Sequence, residues 1–127
     1  MGLGLPSAFS DCEKSIALNP KEASALHCRG VLFAQAGEAE ESIEECTKSI
    51  QLDRSSSNGP LLTRSAMYAK LKNGEKALDD AESVLKLNPN NGEAYMLRAD
   101  AHKILGNTEQ SAKDRAKAIE LGYKPKG

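Results

Sequence analysis

The chain repeats itself, and the length of the repeat limits what it can fold into. Four segments end alike: CEKSIALNP (12–20), CTKSIQLDR (46–54), AESVLKLNP (81–89) and AKAIELGY (116–123). Their landmark leucines, Leu18, Leu52, Leu87 and Leu121, lie 34, 35 and 34 residues apart. A second landmark opens each of three units, at Leu26, Leu61 and Tyr95, and the distance from opener to closing leucine is 26 residues every time. The gaps between units are 8, 9 and 8 residues, so the one extra residue falls in RSSSNGP (54–60), which reads as a loop. Packed surfaces hold their register while loops absorb insertions. A constant interior with a variable connector therefore marks units that bury surface against their neighbours.

Within a unit the apolar period is helical. In PLLTRSAMYAKL (60–71) the residues Leu61, Arg64, Ser65 and Tyr68 share one face. KNG (72–74) is a turn signal, and 75–87 then places Ala77, Ala81, Val84, Leu85 and Leu87 on an inner face. Glu44/Lys48, Glu82/Lys86 and Glu109/Lys113 are spaced four apart with the acid first, the favourable order on a solvated helix. Asn19-Pro20 and Asn88-Pro89 stop helices, and Pro60 suits a first helical turn. Each unit is thus expected to be a helix–turn–helix hairpin. Aromatics are 4% of the chain and Trp is absent, so the core must come from Ala, Leu, Ile and Val, which favours close-packed helices over a β-sandwich.

Small residues recur where the two helices of a hairpin approach: Gly30, Ser65 and Ala99 in the first helix, Ser42, Ala77 and Ser111 in the second. Phe33, Tyr68 and His102 fill the next turn, so small and large side chains alternate and ridges can enter grooves. With its 34-residue period the chain resembles the tetratricopeptide repeat (TPR) family over nearly its whole length. The middle unit carries the match through Leu61, Ser65, Tyr68, Ala77, Ala81, Val84 and Pro89. The first does so through Leu26, Gly30, Phe33, Gly37, Ser42 and Cys46, and the third through Tyr95, Ala99, Leu105-Gly106-Asn107, Ala118 and Leu121. The resemblance implies an all-α fold, a right-handed α-solenoid of hairpins forming one domain over 1–127. Its parts are a half repeat at 7–20 and repeats at 23–56, 58–91 and 92–125.

Residues 7–20 read as the second helix of an earlier repeat, which leaves Phe9, Cys12 and Ile16 without a first helix to cover them. Burying each such side chain is worth roughly 1.5–3 kcal/mol, so an open end is a liability. Two readings stand: the chain is a piece of a longer array, or the end is covered by a partner or a second copy, giving a homo-oligomer through Phe9, Cys12 and Ile16. At the other end, 108–121 shows Lys113, Arg115 and Lys117 and suits a solvated terminal helix, with no room for the capping helix often found in the family.

Several function classes are excluded. Seventeen Lys and Arg against 18 Asp and Glu give a net charge of −1, so there is no cationic excess to bind nucleic acid through phosphates. No stretch approaches the length of an apolar membrane span, and MGLGLPS lacks the basic and apolar regions of a secretory signal. Pro6 stands where a myristoylation motif needs Ser or Thr. Three cysteines without a CxxC point to a reducing, cytoplasmic setting. Cys12 and Cys46 are one repeat apart and read as stacked core residues, leaving Cys28 for a structural or groove position.

No catalytic residues, metal site or cofactor site is expected. His27 and His102 lie in different repeats, His102 in the slot of Phe33 and Tyr68 and His27 toward the groove. Gly2-x-Gly4 reads as a flexible start and the acidic run 38–45 as a solvated helix face. Arg29, Arg64 and Arg98 recur in one slot, with the stem packed and the head wet.

Function is then geometric. Stacked hairpins curve, and their first helices line a concave surface suited to an extended or helical peptide. The family's arrangement assigns that groove to Ser24, His27, Cys28, Val31 and Gln35 from the first repeat, and to Leu62, Thr63, Ala66, Ala69 and Lys70 from the second. The third contributes Glu93, Met96, Leu97, Asp100, Lys103 and Ile104, and for the large apolar members packing between neighbouring helices is the competing role. Some members of the family hold the acidic C-terminus of chaperones in a clamp of Lys, Asn, Asn, Lys and Arg. Those slots here carry His27, Val31, Thr63, Glu93 and Leu97, and Glu93 would repel a carboxylate. The expected role is therefore a non-enzymatic interaction module that takes a peptide or helical segment of a protein partner on apolar anchors. Self-assembly through the terminal helix and a co-chaperone-type adaptor with a non-standard groove are the alternatives.

Overall fold

The turn inside each repeat converts the sequence period into geometry. Gly37, Lys72 and Gly106 occupy equivalent positions, and all three have positive φ, at 83°, 65° and 83°. Each closes the same motif: the amide after it reaches back to Phe33, Tyr68 or His102 at 2.8–2.9 Å, and its own amide bonds Ala34, Ala69 or Lys103. These bonds satisfy carbonyls that a helix end would otherwise orphan and turn the chain back on itself.

The computed structural model describes residues 12, 14, 16–19 and 22–124. Phe9, Met1–Ser7, Pro20 and positions 125–127 lie outside the described residues. Six helices are bounded: α1 (Ala23–Gln35), α2 (Ala39–Leu52), α3 (Asn58–Lys70), α4 (Gly74–Leu87), α5 (Gly92–Ile104) and α6 (Thr108–Glu120). The described positions between 12 and 18 are helical too, and no strand occurs among the described residues. The inserted loop folds into a short 3-10 turn, Arg54–Ser56, capped by the Asp53 carboxylate accepting from the Ser55 amide.

The helices pair as α1/α2, α3/α4 and α5/α6, and each second helix packs on the next first helix. Within the hairpins the small residues meet as their size requires. Ser42 and Ser111 donate to the carbonyls of Gly30 and Ala99, and Ser65 donates to that of Ala77, all within 2.7–2.8 Å. A Cβ on Gly30 would stand 2.9 Å from the Cys46 sulfur, so the α1/α2 contact needs glycine there. Ile50, Leu61, Val84 and Ala94 form the central core across the seams between repeats, with Leu62 and Leu85 against it. Successive first helices touch (α1 with α3, α3 with α5), whereas among the described residues α2, α4 and α6 make little or no mutual contact. A stack that crowds one set of helices and splays the other curves with the crowded set inside. The first helices therefore form the concave side.

Four expectations are corrected here. Leu87 is 57% exposed rather than on an inner face, as are Leu52 at 59% and Leu18 at 86%. Leu52 and Leu87 are the last residues of their helices. Cys12 and Cys46 do not stack: Cys12 is joined to Cys28 as a disulfide, with Cα atoms 5.3 Å apart, and Cys46 is free and buried. At 6% exposure and bonded across its seam, Cys12 is no part of an open self-association face, and Ile16 is itself half-buried. The arginine heads are not simply wet either. Arg64 makes a two-pronged pair with Asp80 at 2.8 and 2.9 Å and also donates to Thr47 of the preceding repeat. Arg98 pairs with Asp114 in the same way and reaches Glu82 at 3.8 Å, and Arg29 pairs with Glu45. Every pair is 16 residues apart, linking the two helices of one hairpin, and the contacts of Arg64 with Thr47 and of Arg98 with Glu82 tie that hairpin to the one before.

Candidate functional site: the concave face

Because α1, α3 and α5 line the concave side, their exposed and half-buried residues form the candidate surface. From α1, Ser24 and Gln35 are exposed and His27, Cys28 and Val31 are half-buried. His27 is committed to the seam with the next repeat: its Nε2 lies 3.3 Å from the Thr63 hydroxyl, and its ring stands where a Cβ on Gly59 would come within 2.6 Å. Burial pulls its pKa below the usual 6.5, so the neutral ring is the form that fits. Cys28 is bonded to Cys12 and presents no free thiol.

From α3, Leu62, Thr63, Ala66 and Ala69 are half-buried and Lys70 is exposed. From α5, Glu93 and Lys103 are exposed and Asp100 and Ile104 are half-buried. Met96 and Leu97 are 6% and 8% exposed, and this corrects their placement in the groove. The helix α5 is packed on α3, α4 and α6, and that cover takes both side chains out of reach of a ligand.

Between α3 and α5 the surface opens into a trough of about 800 Å³. It brings together six of the expected residues, Ala66, Ala69, Lys70, Asp100, Lys103 and Ile104, and adds Met67 and Lys72. Met67 follows Ala66 on the same turn of α3, and Lys72 lies in the turn after α3, where its φ is 65°. Its apolar lining is Ala66, Met67, Ala69 and Ile104, all half-buried, and its three lysines are exposed and form no ion pair among the described residues. Asp100 sits among them with its carboxyl pushed above the usual carboxylate range by burial, against the opposing pull of Arg115 and Lys103. Ser24 and His27 line a separate cavity of about 210 Å³ beside Glu22, Asp53 and Pro60. Cys28, Val31, Gln35, Leu62, Thr63 and Glu93 line neither.

Among the described residues no group of three or more His, Cys, Asp or Glu side chains converges as a metal site would require. No described helix is long and apolar enough to cross a membrane.

Comparison with known proteins bears on this geometry. A family model described as Tetratricopeptide repeat matches residues 92–121. Heat shock protein STI1 of Saccharomyces cerevisiae is 33% identical over 86 residues, 68% of this chain and 15% of that protein. The TPR repeat-containing thioredoxin TDX of Arabidopsis thaliana is 32% identical over 87 residues, again 68% of this chain and 23% of the relative. The solved first TPR of Spaghetti (RPAP3) bound to HSP90 peptide SRMEEVD superposes with a TM-score of 0.75 at 27% identity, covering 80% of this chain and 79% of that one. The chain belongs to the tetratricopeptide repeat family. It spans less than a quarter of the length of these two curated TPR relatives.

The five residues that the resemblance aligns with the chaperone-tail clamp include no Lys, Arg or Asn. His27 and Thr63 bond each other, Leu97 is buried, Val31 is apolar and Glu93 is an exposed acid.

Proposed function

We propose that this TPR chain is a non-enzymatic interaction module whose trough between α3 and α5 holds a peptide or helical segment of a protein partner. The observation that carries the reading is the trough itself, with a lining of Ala66, Met67, Ala69 and Ile104 for apolar anchors and exposed Lys70, Lys72 and Lys103 for flanking acidic side chains. Further support comes from the RPAP3 domains, two of which hold the HSP90 peptide SRMEEVD at 25% and 27% identity to this chain. The clamp slots differ, so the ligand differs: apolar anchors replace a terminal carboxylate as the main determinant. A co-chaperone-type adaptor with a non-standard groove is the narrower form of the reading, supported by likeness to STI1 and to the Hsp70-Hsp90 organizing proteins of soybean and wheat. A cytoplasmic setting belongs to the same proposal. Free Cys46 accords with it.

The test is selection of peptides from a displayed library on the wild-type chain, followed by binding to Ala66→Glu and Ile104→Glu. Each substitution places a carboxylate in the trough lining, and affinity should fall at least tenfold while helicity by circular dichroism is unchanged. Selected peptides that bind both variants as tightly as wild type contradict the reading.

A further inference from the structure

The seam between the helix through residue 12 and α1 holds a covalent option that the later seams do not. Cys12 stands in the register position of Cys46 and Ala81 on later second helices, and Cys28 in that of Thr63 and Leu97 on later first helices. Across the second and third seams these positions offer Cys46 opposite Thr63 and Ala81 opposite Leu97, neither of which can bond. Across the first, two thiols meet with Cα atoms 5.3 Å apart, inside the range a disulfide spans without backbone movement. We propose that Cys12 and Cys28 form a reversible redox site, in which a low-molecular-weight disulfide of the glutathione class fastens the helix through residue 12 to α1 and the corresponding thiol releases it.

The three cysteines differ in the way such a site requires. Cys46 has no accessible surface, lies where a Cβ on Gly30 would touch its sulfur, and has its thiol pushed up to about 11 by burial. It stays a thiol and takes no part. Cys28 is half-buried on a concave-side helix, whereas Cys12 is 6% exposed. A reagent therefore meets Cys28 first. The Cys28 thiolate attacks one sulfur of the small disulfide and expels one thiolate, leaving a mixed disulfide. Cys12 then attacks the Cys28 sulfur and expels the second thiolate. Two protein thiols and one small disulfide become one protein disulfide and two small thiols, which take up the two cysteine protons. Reduction runs the same exchange backwards. In a reducing compartment such a bond is transient and reports the oxidant, which reconciles it with a free Cys46.

Trypsin makes the test direct. Cleavage after Lys14, Lys21, Arg29 and Lys48 puts Cys12, Cys28 and Cys46 on three separate peptides. The folded chain is reduced, exposed to oxidised glutathione, quenched by alkylation and mapped by mass spectrometry, and a second portion is returned to reduced glutathione first. The expected result is a crosslink between the Cys12 and Cys28 peptides that disappears on return, with no glutathione on Cys46. In Cys12→Ser, Cys28 should stop at the glutathione mixed disulfide. Closing a loop with a separation of 16 residues should also slow hydrogen exchange at 12, 14 and 16–18 by roughly 100-fold in the oxidised form. Glutathione on Cys46, a crosslink to Cys46, or Cys12 and Cys28 recovered separately after oxidation each overturns the proposal. The mapping uses wild-type protein, so its outcome stands even where a variant fails to fold.

Discussion

Replacing Asp80 with Ala removes the centre of the arginine ladder, and its cost follows from the structure. Asp80 is buried, with a side chain 6% exposed, and accepts two bonds from Arg64, whose own side chain is 19% exposed. Stranding one member of a buried pair costs about 3–5 kcal/mol. Arg64 keeps its bond to Thr47 and its contact with water, so the expected loss lies at or just below the lower end, about 2–3 kcal/mol. The other rungs are weaker for stated reasons. Arg98 is 26% exposed and retains Glu82, so Asp114→Ala should cost about 1–2 kcal/mol. Arg29 is 36% exposed and uses only one oxygen of Glu45, so Glu45→Ala should cost about 1 kcal/mol or less. Urea unfolding followed by far-UV circular dichroism reads all three as shifts in midpoint. The double variant Arg64→Met/Asp80→Leu, which removes both charges, should come back to within about 1 kcal/mol of wild type. Equal losses on all three rungs, or a double variant as unstable as Asp80→Ala, would refute the reasoning that burial and bond count set the order.

Other outcomes follow from single contacts. Lys72 adopts at φ 65° the turn conformation that Gly37 and Gly106 adopt elsewhere, so Lys72→Gly should raise stability by about 0.5 kcal/mol, the relief of strain less the added freedom of the unfolded chain, read by thermal melting. His27 has a lowered pKa when folded, so below pH 6.5 the unfolded chain binds its proton first and stability falls with pH; His27→Gln should flatten that part of the profile. Gly30→Val drives its side chain into Cys46 and the Ser42 carbonyl and should cost about 1–3 kcal/mol in urea unfolding, with Cys46→Ala restoring part of it.

The hairpins were legible because a repeat is read by comparing the chain with itself. The period implied packed helix hairpins, and the pairing of Gly30, Ser65 and Ala99 with Ser42, Ala77 and Ser111 foretold the close approach seen in the three serine bonds. What escaped depends on relations between elements. Helical periodicity assigns Met96 and Leu97 to a face, but their burial depends on how tightly α3, α4 and α6 close around α5. Leu87 fits the inner period and is exposed because the helix ends there. The acids opposite Arg29, Arg64 and Arg98 recur at a constant offset of 16, a signal open to any reader who asked what the arginines face across the hairpin. Cys12 and Cys28 meet across a seam between units, which a comparison of equivalent positions does not reveal.

The claim on which the function rests is that a partner enters between α3 and α5. Titrating a library-selected peptide into isotope-labelled protein and following amide shifts by NMR tests it residue by residue. Shifts should concentrate at Ala66, Ala69, Asp100 and Ile104, while the outer faces of α2, α4 and α6 stay unmoved. Shifts gathered along the exposed edge of Leu52 and Leu87, with the trough silent, would contradict it.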